Sequence, residues 1–486
     1  MTPARRLPPV APRLVAAIRH SAVIAALLSF LWPGLGQGWV GSRRRALMFA
    51  VPMVLLLSAG VAVMIVQGKA RSLGLLLQPG ILLPLIALNI AVLLYRLFAI
   101  VDAYRAAARR WPPIPYFRAA FGLVLLGTLL GGTLLMHGWL GFVGIKAYDT
   151  VVAISHPFSS PTPVPAASQL PGETPGPTLD PTPIPTPEPA WGDNGRLDLL
   201  LIGADAGQGR FSMRTDTMIL LSIEVRTGRA ALFGLPRNLL NVPLPDGPAQ
   251  AFDCRCYPDQ LNSIFRYAIE HPETFPGTDD ERGYRAVQEA IAELTGLEID
   301  GQVVVTLGGF IRMVDALGGL DMTTKDSIYD ATYPDPFNST RDVGVYIARG
   351  FHHFDGWHAL AYARSRHQDN DYNRMNRQQE VLLALRQQLD PCTLIPRIPE
   401  LLDIARDSLW TNIPIEQLPD LLAIGGSVRP GTIATYQFWP PDIHEDLDFA
   451  SISRVRSIAR TAFLTPLPTP APSTTDTPKP GPGSIC

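Results

Sequence analysis

The sequence predicts an α/β layered domain preceded by a multi-span α-helical membrane region. Hydrophobic residues make up 47% of the 486 residues and charged residues only 17%, a balance that indicates membrane segments. The long apolar runs all lie in the first third of the chain. Between residues 195 and 463, short apolar runs alternate with helix-like segments, which favours a layered α/β domain. The net charge of −2 provides no general basic field for nucleic acid.

The N-terminal part is predicted to be a membrane region. A basic stretch, residues 1–20, precedes an apolar stretch, residues 21–40, which PGLGQG interrupts, so we expect a re-entrant segment or a short span there. Within a transmembrane region of residues 21–145, three stronger spans are expected at about 46–66, 81–100 and 117–143. Arginines concentrate before the first of these and between the second and third. The positive-inside rule therefore places the N-terminus in the cytoplasm and the chain after the third span outside the cell, as part of a multi-pass protein of the cell membrane.

Two Pro/Thr-rich segments flank the outer domain. Residues 155–191 have the composition of an extended polyproline-type linker, which separates the following domain from the lipid bilayer. Residues 465–486 repeat that composition and are predicted to be disordered. The region between them, 195–463, has the size of one extracytoplasmic globular domain.

Within this domain, strands are predicted at 197–202, 217–225, 230–234, 302–307 and 433–438, and helices at 286–294, 310–317, 357–363, 397–407 and 415–424. A further helix is expected to begin at Asp371 or Tyr372, since Asp and Asn favour helix starts. It should end at Leu389, because the next residue precedes a proline.

This last helix carries an unusual pair of polar residues. Arg374 and Gln378 continue the leucine stripe of its apolar face, and Arg377 lies at the edge of that face. A buried guanidinium requires an anionic partner, and its planar fork matches two phosphate oxygens. The alternative is a solvated helix with internal ion pairs to Asp369 and Asp371. Alignment with the leucine stripe favours a polyphosphate pocket.

More charged residues follow the predicted strands. Asp205 comes after the first strand, Arg214 and Asp216 open the second, and Arg237 follows the third. Ligands bind at strand ends in α/β folds, and two carboxylates beside phosphates suit Mg²⁺. The two aspartates could equally be a turn residue and a strand cap. With Arg364, Arg366, Arg374 and Arg377, up to six guanidiniums share one side, a cluster that favours pyrophosphate as its ligand.

Other common sites are disfavoured. The sequence contains no nucleophilic triad, no Walker loop and no HExxH motif. The CxC pair of Cys254 and Cys256 has no second pair or histidine at metal-binding spacing. A bridge from either cysteine to Cys392 is compatible with a location outside the cell.

Six sequence blocks together resemble the LytR-CpsA-Psr (LCP) family of cell-envelope proteins, over about residues 195–440. They are LLLIGAD, RTDTMILLSI, GLPRN, LNSIFRYA, GGFIRMVDALGGLDM and GWHALAYARSRHQDNDYNRMNRQQ. The resemblance implies an αβα fold with a hydrophobic tunnel for a polyprenyl chain. It also implies a Mg²⁺-assisted phosphotransferase that moves a glycopolymer from a polyprenyl-pyrophosphate carrier onto peptidoglycan.

The resemblance also implies roles for individual residues. Asp205, Asp216 and Arg214 would be catalytic, and the two aspartates would bind Mg²⁺. The remaining candidates would bind the lipid pyrophosphate: Arg237, Arg364, Arg366, Arg374, Arg377 and Gln378.

Two positions depart from the family pattern. Asn238 stands where the family usually has Asp, and Gln260 where many members have Lys, so each removes a charge from the expected pocket rim. These departures favour one alternative, a non-catalytic polyprenyl-phosphate-binding scaffold or regulator. A polyprenyl-pyrophosphate hydrolase is a further alternative, because water and a sugar hydroxyl are chemically similar acceptors.

Overall fold

The computed structural model describes residues 21–110, 116–156, 195–204, 215–366, 370–389, 394–441 and 443–464. The chain divides into two compact units, Met1–Asp149 and Thr150–Cys486. The basic N-terminus and nearly all of both Pro/Thr-rich segments lie outside the described residues, so those predictions stay predictions.

The first unit is helical. Its elements are α1 (Ala22–Leu31), α2 (Leu35–Trp39), α3 (Arg43–Gln67), α4 (Lys69–Leu76), α5 (Pro79–Arg110) and α6 (Tyr116–Ile154), which runs five residues beyond the unit. Three segments are long and apolar enough to cross a membrane: Arg43–Gln67, Pro79–Arg110 and Gly122–Ile154. These helices include the three stronger spans predicted from the sequence. By contrast, the 10 residues of α1 extend only about 15 Å, half the thickness of a bilayer core.

Gln37 holds the short helices of this unit together. Its side chain is fully buried, and Ser29 Oγ donates a hydrogen bond to its Oε1 at 2.9 Å. Its Nε2 donates to the Ala99 carbonyl at 2.9 Å and to Asp102 Oδ2 at 3.2 Å. Buried amide contacts of this kind stabilise helix packing where apolar burial discriminates little between partners. The PGLGQG interruption is therefore a packing element of the helical unit.

The second unit contains a six-stranded mixed sheet in the order β11-β6-β1-β2-β3-β12. Its strands are β1 (Arg196–Ala204), β2 (Thr215–Glu224), β3 (Arg229–Gly234), β6 (Gly301–Thr306), β11 (Leu409–Thr411) and β12 (Ile433–Gln437). β1 pairs antiparallel with β2 and parallel with β6, and β3 pairs antiparallel with β2 and parallel with β12. The predicted alternation of strands and helices is confirmed, but much of the pairing is antiparallel.

Helices cover both faces of this sheet. On one face, the main core packs α8 (Ile264–Glu270), α9 (Asp279–Thr295) and α15 (Phe449–Thr461) against the strands. On the other face, a smaller core includes Ile424 of α14 (Leu418–Ser427). The layered architecture expected from the sequence is therefore present.

A third cluster of apolar residues joins elements that the sequence predicts only in part. It packs α10 (Leu307–Leu317), α11 (Gly356–Arg364) and α12 (Asp371–Gln388) against two small antiparallel sheets. One sheet pairs β7 (Leu320–Thr324) with β10 (Gly350–Phe354), and the other is the hairpin of β8 (Ile328–Asp335) and β9 (Asn338–Ile347), which lies between them in the chain. The sequence analysis predicts none of these four strands. The remaining elements are α7 (Asp246–Ala249), α13 (Ile398–Ser408) and the pair β4 (Val242–Pro243) and β5 (Cys256–Tyr257).

The disulfide differs from the sequence expectation. Cys254 bonds to Cys256, so neither of them is left to pair with Cys392, which lies outside the described residues. The intervening Arg255 has φ 52°, a left-handed conformation that turns the chain tightly enough for near neighbours to meet. The bridge therefore closes a local loop beside β5 and does not connect distant parts of the domain.

Candidate functional site

A cavity of ≈ 70 Å³ lies where β2 begins and β3 ends. Its lining is rich in charged and polar side chains from several elements: Asp216, Thr217, Arg237, Asp330, Tyr333, Pro334, Arg364, Arg366, Arg374 and Gln378. Four of these ten residues are arginines. The structure thus brings together most of the described residues that the sequence predicts to form a phosphate site.

A chain of ion pairs connects the sheet to α12. Arg237 Nη1 lies 2.7 Å from Asp216 Oδ1, and its Nε lies 3.3 Å from Asp371 Oδ2. Asp371 in turn pairs with Arg374, whose Nη1 is 3.2 Å from Asp371 Oδ1. Two carboxylates therefore hold two guanidiniums in fixed positions. The sequence suggests Asp371 only as a partner in an ion pair within the helix, but Asp371 contacts both Arg237 and Arg374.

The backbone around Arg237 explains why these groups meet. Arg237 follows β3, and its carbonyl accepts a hydrogen bond from the Asn262 N–H at 3.0 Å, while Leu261 N–H donates to the Leu239 carbonyl at 2.9 Å. This places the buried Asn262 side chain beside the cavity, where its Nδ2 donates to Asp216 Oδ1 at 3.4 Å. Asn262 lies in the LNSIFRYA block, but no sequence pattern predicts a function for it.

The arginines set the charge state of Asp216. Burial by itself raises the pKa of a carboxyl group, but Arg237, with Arg374 and Arg364, outweighs burial and holds the pKa of Asp216 below its usual value. For Arg237, burial likewise works against the charge, but Asp216 and Asp371 raise its pKa. Asp216 is therefore ionised at neutral pH.

Arg374 is the most deeply buried arginine of the cavity lining. Only 4% of it is exposed, and among the described residues its buried Nε has no hydrogen-bond partner. Burial, followed by the charge of Arg237, lowers the pKa of Arg374 to about 10. The guanidinium is still protonated at neutral pH, so it is a buried positive charge with unused hydrogen-bonding capacity. An anionic ligand with several acceptor oxygens would neutralise this charge and accept a hydrogen bond from Nε.

A bulge in β8 directs two further side chains toward the cavity. Asp330 lies opposite Val345 and Tyr333 opposite Val343, so three steps along β8 match two along β9. The extra residue turns Asp330 and Tyr333 to the same side, and each is only 1% exposed. Asp330 Oδ2 accepts from the backbone N–H of Arg366 at 3.4 Å, and the Arg364 guanidinium lies 5.9 Å from the centre of the Tyr333 ring. No motif in the sequence indicates this bulge.

α12 contributes its buried polar residues in different directions. The Asn370 side chain caps the helix by accepting a hydrogen bond from the Asn373 N–H at 3.0 Å. The helix begins at Asp371, as predicted, and ends at Gln388, one residue before the predicted end. Gln378 lines the cavity and donates from Nε2 to Thr217 Oγ1 at 2.9 Å. Arg377 does not line it: its guanidinium donates to the carbonyls of Tyr362 and Ser365. Arg377 thus supports the end of α11, from which Arg364 and Arg366 extend.

Several predictions are not tested by the geometry. Asp205 and Arg214 lie outside the described residues. Asn238 and Gln260, the two departures from the family pattern, are described but do not line the cavity, and Gln260 is exposed. Among the described residues, no group of three or more His, Cys, Asp or Glu side chains could hold a metal. Asp216 supplies one oxygen ligand, which fits Mg²⁺ because this ion commonly binds through one or two carboxylates, water and substrate phosphates.

The sheet face next to Gln378 is incompletely covered. Leu201, Leu221 and Val303 lie on this face and are half-buried, whereas Leu200, Leu220 and Val304 on the opposite face are buried. β1, β2 and β6 are neighbours in the sheet, so the three half-buried side chains form an apolar strip. On the same face of β2, Thr217 lines the cavity, the buried Ile219 follows two residues later, and Leu221 follows four residues later.

A family model matches more than half of this chain. The model of the LytR_cpsA_psr family matches residues 149–443. The polyisoprenyl-teichoic acid–peptidoglycan teichoic acid transferase TagU of Oceanobacillus iheyensis is 25% identical over 317 residues, which are 65% of this chain and 81% of that protein. The regulatory protein MsrR of Staphylococcus aureus is 25% identical over 46% of this chain and 58% of its own length. The crystal structure of B. subtilis TagV matches with a TM-score of 0.41 and 22% identity, covering 56% of this chain and 98% of that chain.

Proposed function

Since this chain belongs to the LytR-CpsA-Psr family of cell-envelope proteins, we propose that it is a phosphotransferase that moves a glycopolymer from a polyprenyl-pyrophosphate carrier onto peptidoglycan. The observation that carries the proposal is the arginine-rich cavity, and above all the buried guanidinium of Arg374, whose Nε has no hydrogen-bond partner among the described residues. A pyrophosphate supplies negative charge and acceptor oxygens beyond those of Asp216 and Asp330, the two carboxylates that line the cavity with four arginines. The name of the relative TagU, a teichoic acid transferase, supports the same reaction class.

In the proposed reaction, a hydroxyl oxygen of the acceptor sugar attacks the phosphorus that carries the glycopolymer. The bond from that phosphorus to the bridging oxygen breaks, the polyprenyl phosphate leaves, and the hydroxyl proton passes to a base or to water. Arg237 and Arg374 lie where they would neutralise charge on the phosphates, and Asp216 and Asp371 fix their positions. Arg364 and Arg366 would bind further phosphate oxygens.

Asp216 is better suited to bind a cation than to remove the proton. Its pKa lies below the usual value, and a carboxylate of low pKa is a weak general base at neutral pH. We assign Asp216, with the predicted Asp205, to a Mg²⁺ ion that would neutralise phosphate charge when bound.

The half-buried strip of Leu201, Leu221 and Val303 supports a lipid carrier. It offers an apolar surface beside the phosphate cavity, as a polyprenyl chain attached to the pyrophosphate requires. The three apolar helices of the first unit support a membrane anchor, and we propose that they cross the membrane with the second unit on the outer side. The Cys254–Cys256 disulfide fits an oxidising, extracytoplasmic location.

The alternative is a non-catalytic regulator that binds the lipid pyrophosphate. It is favoured by relatives named as regulatory proteins, including MsrR and the biofilm regulatory protein A of Streptococcus mutans, which is 24% identical over 50% of this chain. Both functions use the arginine cavity, so only turnover separates them.

The test uses the full-length chain in nanodiscs with a polyprenyl-pyrophosphate-linked sugar, a soluble peptidoglycan fragment, and either Mg²⁺ or a chelator. Release of polyprenyl phosphate and coupling of the sugar are measured together. We expect Mg²⁺-dependent coupling that falls at least about 100-fold in Asp216→Asn. The matched control is Asp246→Asn, because the Asp246 side chain is 96% exposed and pairs with Arg255 far from the cavity lining.

Each outcome separates the alternatives. Coupling that Asp216→Asn leaves intact would refute the assigned role of Asp216. Release without coupling would identify a hydrolase. Tight binding without either product would favour the regulator, and absence of binding would refute the phosphate site itself.

A further inference from the structure

A second and larger cavity, of ≈ 630 Å³, lies along the other flank of α12. We call it the α12 groove. One wall is formed by α12, including Asn373 and Asn376, and the other by residues 325–329, which are the β7–β8 connection and the start of β8. Arg366 lines both the groove and the phosphate cavity, and no other described residue lines both. A ligand bound at the phosphates could therefore extend directly into the groove.

The charges that line the groove are largely compensated within the protein. Lys325 Nζ lies 2.5 Å from Glu380 Oε1, and the Tyr362 hydroxyl donates to Glu380 Oε2 at 2.7 Å. Arg377 is occupied by the carbonyls of Tyr362 and Ser365. Among the described residues, the groove lining therefore has a smaller excess of cations than the lining of the phosphate cavity, and it does not suit a second polyanion. Its lining is nevertheless polar, which disfavours a lipid chain.

The remaining side chains suit a neutral ligand rich in hydroxyl groups. Asn373 and Asn376 present amides, which both donate and accept hydrogen bonds and so match sugar hydroxyls. Tyr329 lies on the groove wall and is 61% exposed, so its ring offers an apolar face with a polar tip. The volume lies in the usual range of small-molecule sites and has room for two or three sugar rings. Asn376 Oδ1 already accepts a hydrogen bond from Gln437 Nε2 at 3.0 Å, so Asn373 is the better placed of the two amides. An exposed amide, an exposed aromatic ring and balanced charge together indicate a saccharide.

We propose that the α12 groove binds sugar residues of the saccharide substrate, with Arg366 at the junction between these sugars and the pyrophosphate. This inference rests on the proposed function and adds a sugar-binding surface to it. The sugars have two sources with the same chemistry: the glycopolymer attached to the donor pyrophosphate, and the glycan of the peptidoglycan acceptor. The experiment distinguishes them.

The test compares Tyr329→Ala with Tyr346→Ala in the full-length chain in nanodiscs. Tyr346 is the direct cross-strand partner of Tyr329 in the β8–β9 hairpin and is 68% exposed, but it does not line the groove. Three probes are titrated by calorimetry: farnesyl pyrophosphate, a polyprenyl pyrophosphate that carries N-acetylglucosamine residues, and a soluble glycan fragment of peptidoglycan. Asn373→Ala is a second variant that alters the groove through an exposed side chain.

We expect Tyr329→Ala to weaken binding of one sugar-bearing probe by about 3- to 10-fold, because an aromatic contact contributes that much. Binding of farnesyl pyrophosphate should not change, and Tyr346→Ala should bind all probes like the unaltered chain. Weaker binding of the sugar-linked pyrophosphate alone assigns the groove to the donor. Weaker binding of the glycan fragment alone assigns it to the acceptor.

Unchanged affinity for both sugar-bearing probes in Tyr329→Ala and Asn373→Ala would overturn the inference. An equal loss in Tyr346→Ala would also overturn it, since the effect would then arise from the hairpin and not from the groove. Failure of the proposed function has a different signature: the unaltered chain would not bind farnesyl pyrophosphate at all, whatever the groove variants do.

Discussion

Replacing Arg374 with methionine should change ligand affinity and protein stability in opposite directions. Methionine keeps most of the unbranched stem that packs in α12 but removes the guanidinium. In the free protein, that guanidinium is 4% exposed, lies near the like charge of Arg237, and has an Nε without a partner among the described residues. Replacing a buried charge of this kind with an apolar side chain is often neutral or stabilising.

The magnitudes follow from the contacts of the guanidinium. Its loss removes the 3.2 Å pair with Asp371, but Asp371 keeps Arg237 at 3.3 Å and so does not become an unpaired buried charge. We therefore expect a free energy of unfolding that is unchanged or higher by about 1 kcal/mol. Binding of a pyrophosphate loses charged hydrogen bonds worth about 1.5–3 kcal/mol, which corresponds to roughly 10- to 150-fold weaker affinity.

The assay is calorimetric titration of the full-length chain with farnesyl pyrophosphate, combined with thermal unfolding of the ligand-free protein. Arg266→Met is the matched control, because Arg266 is 60% exposed and pairs with Glu270 one turn along α8. It should leave both measurements unchanged. Full affinity in Arg374→Met would show that Arg374 is not a ligand of the pyrophosphate. Reduced affinity together with a strong loss of stability would show a structural ion pair instead of a binding residue.

Three further predictions concern the framework around the site. Gln37→Leu removes three hydrogen bonds of the buried Gln37 side chain and should lower the free energy of unfolding of the full-length chain in detergent by about 1–2 kcal/mol. Gln67→Leu, at an exposed helix end, is the control and should leave it unchanged. Burial, with the nearby charge of Asp198, raises the pKa of Asp300 to about 6. Ionisation of Asp300 therefore lowers the free energy of unfolding progressively as the pH rises from about 4 to 6, and the full loss is present above pH 6. Asp300→Asn should therefore raise the free energy of unfolding by about 1–2 kcal/mol at pH 7.5, after allowance for partial exposure, and change it little at pH 4. Chemical unfolding at the two pH values measures this, and an equal change at both would contradict the assignment. A Cβ at Gly356 would overlap the carbonyl of Ile311, so Gly356→Ala should cost about 1–3 kcal/mol in chemical unfolding, and Gly344→Ala, which meets no atom within 4 Å, serves as its control.

Local sequence signals predict the regular elements of the sheet and the charged helix. The five predicted strands form within a few residues of their expected positions, and the cap at Asn370 starts α12 as its sequence indicates. The position of Arg374 on the apolar face follows from helical periodicity alone, and its burial confirms that part of the interpretation.

Long-range pairing is what the sequence does not supply. The strands β7 and β10 have five residues each, and the β8–β9 hairpin separates them in the chain, so no local signal identifies their pairing. The inward direction of Asp330 and Tyr333 depends on one extra residue in β8, which becomes visible only in the register with β9. The Cys254–Cys256 bridge depends similarly on the backbone conformation of Arg255, because spacing alone is compatible with several pairings.

The consecutive residues Arg377, Gln378 and Gln379 explain how one helix organises the whole site. All three are buried, and each contacts a different element. Arg377 donates hydrogen bonds to the carbonyls at the end of α11, and Gln378 donates one to Thr217 at the start of β2. Gln379 donates to the Leu232 carbonyl of β3, and its Oε1 accepts a hydrogen bond from Gln437 of β12. Because α12 also presents Arg374 to the phosphate cavity and Asn373 and Asn376 to the groove, these three contacts fix both ligand surfaces relative to the sheet. If Arg364 and Arg366 bind the phosphates as proposed, Arg377 would affect that binding through their position, since its own guanidinium does not line the cavity.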